Sequence, residues 1–162
     1  SNKAVTARVV DHSRASLFKR ILINKGTAEG LRVGFPVLSD QAVVGRIIET
    51  AWHASQVLLL TDGNSNIDGM IQRSRAQGIL QGAGSAGCLL KYISRAEEVL
   101  PGDVVLSSGL TGIFPKGLML GVVTGATRAG DGLFQKIDVA PAVNIEKLEE
   151  VLALIPETGN EK

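Results

Sequence analysis

Short apolar runs alternate along the chain with polar or glycine-rich segments, and this spacing is typical of β-strands joined by turns. The runs are rich in Val, Ile and Leu, and they are too short for helices of ordinary length. The predicted strands cover residues 5–10, 17–24, 35–38, 43–50, 55–61, 67–72, 76–81, 88–93 and 133–140, with further strands inside residues 99–123. The last apolar segment, residues 148–155, fits the spacing of either a strand or a helix. We therefore predict an all-β fold.

One glycine-containing unit occurs twice in the sequence. Residues 100–107 (LPGDVVLS) align with residues 32–39 (RVGFPVLS), and residues 120–123 (LGVV) align with residues 44–47 (VGRI). A repeated strand–turn–strand unit predicts two small, Gly-rich, antiparallel β-barrel subdomains that are related by a weak internal repeat.

We place the first subdomain at residues 1–75 and the second at residues 76–162. The sequence leaves open whether residues 148–155 complete the second barrel or return to the first. The 19 glycines among 162 residues suit the many tight turns that small barrels need.

Composition excludes several classes of partner. The 17 basic and 16 acidic residues give a net charge of only +1, and no run of Lys or Arg exceeds two residues. Without a basic stripe or many aromatic residues, we expect no nucleic acid binding. No apolar run approaches the ~20 residues that cross a bilayer. Since the chain starts with Ser1 and Asn2 instead of Met, we interpret it as an excised fragment, so the lack of such a run says little about the parent protein.

Motifs that bind cofactors or metals are incomplete. Residues 82–87 (GAGSAG) satisfy G-x-G-x-x-G, but a strand-like segment follows where a dinucleotide site needs a helix. Residues 62–66 begin like a calcium loop, yet Ile67 replaces the required glycine and Arg73 the required glutamate. Cys88 is the single cysteine and there are two histidines. We therefore expect no cofactor and no metal.

The alternative function is that of a trypsin-like hydrolase with two barrels. His53, Asp103 and Ser108 occur in the chain order of that catalytic triad. The serine, however, follows Ser107 and precedes Gly109, without the Gly-Asp-Ser-Gly-Gly context that builds an oxyanion hole. The sequence disfavours this alternative, and we expect the protein not to be an enzyme.

Two segments are candidates for contact with a partner or with a second copy. Residues 109–115 form a glycine-flanked loop that carries Ile113 and Phe114, and Trp52 follows the strand at residues 43–50. Each segment has a second interpretation: the loop folds back to plug a barrel end, and the tryptophan packs on its own domain. The candidate contact residues are Trp52, Ile113 and Phe114.

An ordered set of motifs is similar to the barrel region of the MreC family of rod shape-determining proteins. The matching segments are residues 24–37, 44–46, 55–62 (SQVLLLTD), 102–110 (GDVVLSSGL), 112–117 (GIFPKG), 131–134 (DGLF) and 148–152 (LEEVL). They are spread in the expected order along most of residues 5–155. Met119 departs from the family pattern, which has proline there.

The resemblance implies a non-catalytic scaffold of the cell-elongation machinery, or elongasome, which maintains rod shape. Such a protein binds and regulates the class B penicillin-binding transpeptidase and self-associates as a dimer or filament. The full-length protein also associates with MreB and MreD. It lies on the periplasmic side of the inner membrane, or the extracellular face in Gram-positive bacteria. A periplasmic adaptor of efflux or secretion systems would instead show lipoyl-like half-motifs, which this sequence lacks. We expect sheet edges and the barrel face near Phe114 to make the contacts.

Overall fold

The computed structural model describes residues 3–12, 19–128 and 132–156 of the 162-residue chain. Within these ranges the strands are β1 (Lys3–His12), β2 (Arg20–Ile23), β3 (Pro36–Ser39), β4 (Ala42–Thr50), β5 (Ser55–Leu59), β6 (Asn66–Ile71), β7 (Gln77–Gly82), β8 (Cys88–Lys91), β9 (Val104–Ser107), β10 (Met119–Thr127), β11 (Lys136–Pro141) and β12 (Glu150–Ile155). The helices of the described residues are three single-turn 3₁₀ segments, Thr27–Glu29, Gly84–Ala86 and Ile145–Lys147. The predicted all-β class is confirmed.

The described chain divides into two compact units. The first unit contains the residues up to Leu59 together with those from Asn144 onward, and the second contains Leu60–Val143. The predicted boundary after residue 75 differs from this division. That boundary would separate β6 from β7, which are paired from Asn66 to Met70.

The first unit is a closed antiparallel circuit of six strands. The order around it is β1, β2, β5, β4, β3 and β12, and β12 returns to β1. The closing strand pairs Val151 with Ala7 of β1 and Ala153 with Val37 of β3. The sequence leaves open whether the final segment is a strand or a helix, and which of the two barrels it completes. In the structure it is a strand, and it belongs to the first unit.

Alternation along the strands fills this first unit with aliphatic side chains. On β2, Ile21 and Ile23 are buried and alternate with the half-buried Arg20 and Leu22. The same period-two pattern places one residue inside and the next outside, as a pleated strand requires. The fully buried residues of this core include Ile21, Ile23, Leu31, Val37, Val43, Val44, Ile47, Val57 and Ala153.

The second unit is also a closed antiparallel circuit of six strands. The order is β6, β7, β8, β11, β10 and β9, and β9 returns to β6. Its buried apolar residues include Leu60, Ile71, Leu80, Cys88, Leu90, Ile93, Val105, Phe114, Leu120, Val123, Ile137 and Val139. Each strand of each circuit is paired with a strand on either side over at least part of its length, so the circuits leave only short stretches of unpaired strand edge for the contacts expected at sheet edges.

The two circuits follow the same order of strands. β3, β4 and β5 correspond to β9, β10 and β11, and the hairpin of β1 and β2 corresponds to that of β7 and β8. A glycine lies at the same place in each: a Cβ on Gly45 of β4 would lie 2.0 Å from the Leu58 oxygen, and one on Gly121 of β10 would lie 2.2 Å from the Ala140 oxygen. The close approach of the next strand therefore requires glycine at both positions.

Substitution of Gly121 by alanine tests this close approach. We expect Gly121→Ala to lower the free energy of unfolding by about 1–3 kcal/mol, because the added methyl overlaps the Ala140 carbonyl and backbone must shift. Gly63→Ala is the matched control in the same unit, since a Cβ at Gly63 has no atom within 4 Å. Urea denaturation of both variants measures the difference. Equal stabilities would contradict the packing described for Gly121.

Candidate functional site

The three residues in triad order each have a different partner. The Nδ1 atom of His53 lies 2.9 Å from Glu29 Oε2. Asp103 accepts hydrogen bonds from the guanidinium of Arg73, and the Ser108 hydroxyl donates to Asp68. In a hydrolase of that class, the aspartate orients the histidine and the histidine activates the serine. The observed partners assign these side chains to other interactions.

Arg73 and Asp103 form a bidentate ion pair in the second unit. Arg73 Nε donates to Asp103 Oδ1 and Arg73 Nη2 donates to Asp103 Oδ2, each over 2.9 Å. The same guanidinium contacts the carboxylate and the carbonyl of the exposed Glu98, and the Leu100 amide donates to Asp103. Hydrogen bonding to Arg73 holds the pKa of Asp103 below its usual value against the opposing effect of burial. This network fastens the segment before β9.

Cys88, the GAGSAG segment at residues 82–87 and the segment at residues 62–66 that resembles a calcium loop also have structural roles. Burial raises the pKa of the Cys88 thiol to about 12, so the thiol is neutral and a poor nucleophile at neutral pH. The Gly84–Ala86 turn joins β7 to β8, where a dinucleotide site would need a long helix. The Asn64 amide donates to Asp62 Oδ1, which closes a local turn.

The described chain contains neither a metal-binding cluster nor a membrane-spanning helix. Among residues 3–12, 19–128 and 132–156, no three His, Cys, Asp or Glu side chains are grouped so as to hold a metal ion. In the same ranges, no helix has the length and apolar character that crossing a bilayer requires. The candidate sites considered below are surfaces that could contact another macromolecule.

Trp52 lies at the corner between β4 and β5, and backbone hydrogen bonds fix this corner. The amides of Thr27 and Ala28 donate to the carbonyls of Ala51 and Trp52, respectively. A Cβ on Gly26 would lie 2.0 Å from the Ala51 oxygen, so glycine is required at this position of the motif. The corner and the segment that contains the first 3₁₀ turn are thus held together by their backbones.

A carboxylate reinforces the same corner from the other side. Glu29 accepts a hydrogen bond from the Gly26 amide over 2.7 Å and contacts His53 with its second oxygen. The Gly26 amide is the main reason that the pKa of Glu29 is lowered. His53 in turn meets the indole of Trp52 edge-on, with ring centroids 5.7 Å apart. Trp52 nevertheless remains 67% exposed, so its ring is available to a partner.

Residues 108–117 form a long loop between β9 and β10, which we call the Leu110 loop. Ser107 closes its base, because the Ser107 hydroxyl donates to the Pro115 carbonyl and accepts from the Leu118 amide. Gly109 has a φ of 79°, a left-handed conformation that glycine adopts without strain. A Cβ at Gly109 would also lie 3.0 Å from Lys116 on the opposite side of the loop.

Asp68 of β6 holds the first half of the Leu110 loop. Its carboxylate accepts hydrogen bonds from the hydroxyls of Ser108 and Thr111 and from the amides of Leu110 and Thr111. Burial alone would raise the pKa of Asp68, but these hydrogen bonds together lower it. Asp68 is therefore charged at neutral pH, in an environment that its donors make favourable.

The loop divides its three apolar side chains between surface and interior. Leu110 is 69% exposed and Ile113 is 43% exposed, whereas Phe114 is only 2% exposed. The expectation that Phe114 offers its ring to a partner does not agree with this burial, because the ring is part of the core of the second unit. The loop thus combines both interpretations of its sequence: Phe114 folds inward, and Leu110 and Ile113 point outward.

A second exposed apolar cluster lies elsewhere on the second unit, and the sequence pattern does not predict it. Tyr92 and Phe134 stack edge-on with centroids 5.6 Å apart, and the neighbouring Leu133 is exposed. The Arg95 amide donates to the Leu133 carbonyl and so fixes the two segments together. In the sequence, the adjacent pair Leu133 and Phe134 is the available signal of this cluster, but the alternation of apolar and polar residues predicts that both lie in a half-buried strand. β11 begins later, at Lys136.

Comparison with known sequences gives one family. Residues 9–154 match the family described as "Rod shape-determining protein MreC, barrel core". A cell shape-determining protein MreC from Caulobacter vibrioides is 35% identical over 146 residues, which cover 90% of this chain and 41% of that protein. The chain therefore spans about two-fifths of the length of this curated relative.

Comparison with solved structures gives the same fold. The crystal structure of MreC from Pseudomonas aeruginosa superposes with a TM-score of 0.91 at 27% identity, over 94% of this chain and 99% of that chain. A complex between Penicillin-Binding Protein (PBP2) and MreC from Helicobacter pylori contains a chain that superposes with a TM-score of 0.75 at 17% identity, over 97% of this chain and 100% of that chain. At that identity, the second likeness concerns the fold alone.

The ion pair of Arg73 and Asp103 predicts a pH-dependent stability. We expect Asp103→Asn to lower the free energy of unfolding at pH 7 by about 1 kcal/mol, a small value because water screens the partly exposed Arg73. Since the folded state lowers the pKa of Asp103, this contribution is complete above the unfolded pKa of about 3.9 and disappears as the pH falls through the lower folded value.

Urea denaturation between pH 7 and pH 3 measures this difference. Glu98→Gln is the control, because Glu98 contacts the same guanidinium from an exposed position and its loss should cost less. A difference between wild type and Asp103→Asn that stays constant over this pH range would contradict the role assigned to the ion pair.

Proposed function

The chain belongs to the family of the rod shape-determining protein MreC, and from this premise we propose that it is a non-catalytic scaffold of the bacterial elongasome. It binds the class B penicillin-binding transpeptidase and regulates peptidoglycan synthesis by that partner. The observation that carries the proposal is the family match over residues 9–154, which include both six-stranded units. The solved complex from Helicobacter pylori, in which an MreC is bound to PBP2, supports the choice of partner.

The location and the remaining partners follow from the same premise. The domain lies on the periplasmic side of the inner membrane, or outside the membrane in Gram-positive bacteria, and a transmembrane helix outside this fragment anchors it. MreB and MreD associate with the full-length protein. Copies of the protein associate with one another as dimers or filaments.

A scaffold regulates an enzyme only through differential binding. It shifts the transpeptidase toward an active state by as much as its affinity for that state exceeds its affinity for the inactive one. Rigid, exposed anchor residues suit this task, because little ordering is then needed when the complex forms. Closed barrels with hydrogen-bonded corners and loops supply such anchors.

Trp52 and Ile113 are the proposed contact residues. Trp52 is an exposed aromatic residue at a fixed corner of the first unit, and tryptophan is enriched among residues that dominate binding energy. Ile113 is exposed on the Leu110 loop of the second unit. Phe114 supports this loop from the core, so its effect on binding is indirect.

Binding of this purified domain to the periplasmic domain of the cognate class B transpeptidase, followed by biolayer interferometry, tests the proposal. We expect saturable binding that Trp52→Ala and Ile113→Ser each weaken by about tenfold, since truncated anchor residues commonly cost more than about 1 kcal/mol. Phe134→Ser is the matched control, because it removes an exposed apolar side chain from the other cluster. Thermal denaturation verifies that all three variants are folded.

Two results would contradict the proposal, and they do so at different levels. Absence of binding by the wild-type domain to a folded transpeptidase would overturn the scaffold function for this part of the protein. Binding that Phe134→Ser abolishes, while Trp52→Ala and Ile113→Ser leave it intact, would assign the contact to the cluster of Tyr92, Leu133 and Phe134 instead.

A further inference from the structure

Asp68 and Asp103 are both buried aspartates of the second unit, but only the Asp68 carboxylate accepts hydrogen bonds from the Leu110 loop among the bonds described for the two side chains. Asp68 lies on β6 with only 3% of its surface exposed, and its two oxygens accept from Ser108, Leu110 and Thr111 of the Leu110 loop. These donors follow Asp68 in the sequence by 40, 42 and 43 residues, respectively. One charged group therefore ties three loop residues to the barrel wall.

We propose that Asp68 is a positioning residue for recognition: its carboxylate holds the Leu110 loop in the conformation that presents Leu110 and Ile113 to the transpeptidase. This inference rests on the proposed function and adds to it the residue that sets the shape of the contact loop. Asp68 itself is buried and does not touch the partner. It acts through the loop residues that it binds.

The composition of the loop explains why it needs such a residue. Gly109 and Gly112 have positive φ values of 79° and 83°, and a chain with glycine at both positions has many other conformations available. Ser107 and Phe114 fix the base and the far half, through the Ser107 hydroxyl bonds and the burial of the Phe114 ring. Between the base and the far half, the Asp68 carboxylate accepts the hydrogen bonds described for the hydroxyls of Ser108 and Thr111 and for the amides of Leu110 and Thr111.

The consequence for binding is a change in the population of the competent conformation. If only a fraction of molecules holds the loop in the binding conformation, the apparent dissociation constant rises in inverse proportion to that fraction. Removal of the carboxylate leaves buried donors facing a group that cannot satisfy them all, which favours the open loop. The expected effect is weaker binding without loss of any side chain that contacts the partner.

Asp68→Asn tests the inference with two measurements on each protein. Amide hydrogen exchange by NMR should show that the amides of Leu110 and Thr111 exchange about tenfold faster or more, whereas the amide of Val123 in β10 keeps its protection. Biolayer interferometry against the transpeptidase should show a dissociation constant about 3- to 10-fold higher. Thr111→Val removes one hydroxyl donor and should give a smaller change in the same direction, and it serves as the test variant if Asp68→Asn does not fold.

Asp103→Asn is the matched control for destabilisation in general. It alters a buried aspartate of the same unit that binds Arg73 and not the loop, so exchange at Leu110 and Thr111 should stay at the wild-type rate. Unchanged loop exchange in both Asp68→Asn and Thr111→Val would overturn the inference. Faster loop exchange with an unchanged dissociation constant would also overturn it, while the proposed function would stand. Absence of binding by the wild-type domain would instead overturn the proposed function, and the role of Asp68 in recognition with it.

Discussion

Each six-stranded unit closes only because strands that are distant in the sequence meet. β12 joins β1 to β3 in the first unit, and β6 joins β7 to β9 in the second. Closure gives every strand paired neighbours on both sides within its own unit, over at least part of its length, and buries an aliphatic interior. It also requires glycine where neighbouring strands come closest, at Gly45 and Gly121. Because closure uses most of the strand edges, we propose corners, loops and exposed side chains as the surfaces that contact other molecules.

Polar groups hold the exposed apolar residues of these units in place. At the corner of β4 and β5, Glu29 and the Gly26 amide fix the segment beside Trp52. On the Leu110 loop, Asp68 plays the same part for Leu110. In both places a carboxylate with a lowered pKa accepts backbone hydrogen bonds close to an exposed apolar side chain. This arrangement lets an apolar side chain face water without collapsing onto its own domain, which is the property that a preorganised contact surface requires.

The sequence predicts the strands well, because alternation and glycine-rich turns are local signals. The pairing of those strands depends on residues far apart in the sequence, so the sequence does not predict the domain boundary or the pairing of β12 with β1 and β3. The spacing of Leu148, Val151 and Ile155 also fits a helix, although this segment forms a strand. The sequence leaves open whether Phe114 faces a partner or the core, because a glycine-flanked loop gives no sign of which side chain turns inward. No sequence motif identifies Asp68, because the groups that donate hydrogen bonds to it lie on a loop that begins 40 residues further along the chain.

We propose that fixed loops and corners, and not strand edges, bind the transpeptidase. A hydrogen–deuterium exchange footprint of the domain, free and in complex with the transpeptidase, tests this proposal most directly. We expect new protection at residues 108–113 and at the corner around Trp52, with unchanged exchange in the barrel strands. Protection confined to β-strands, or to the segments of Tyr92 and Phe134, would contradict it.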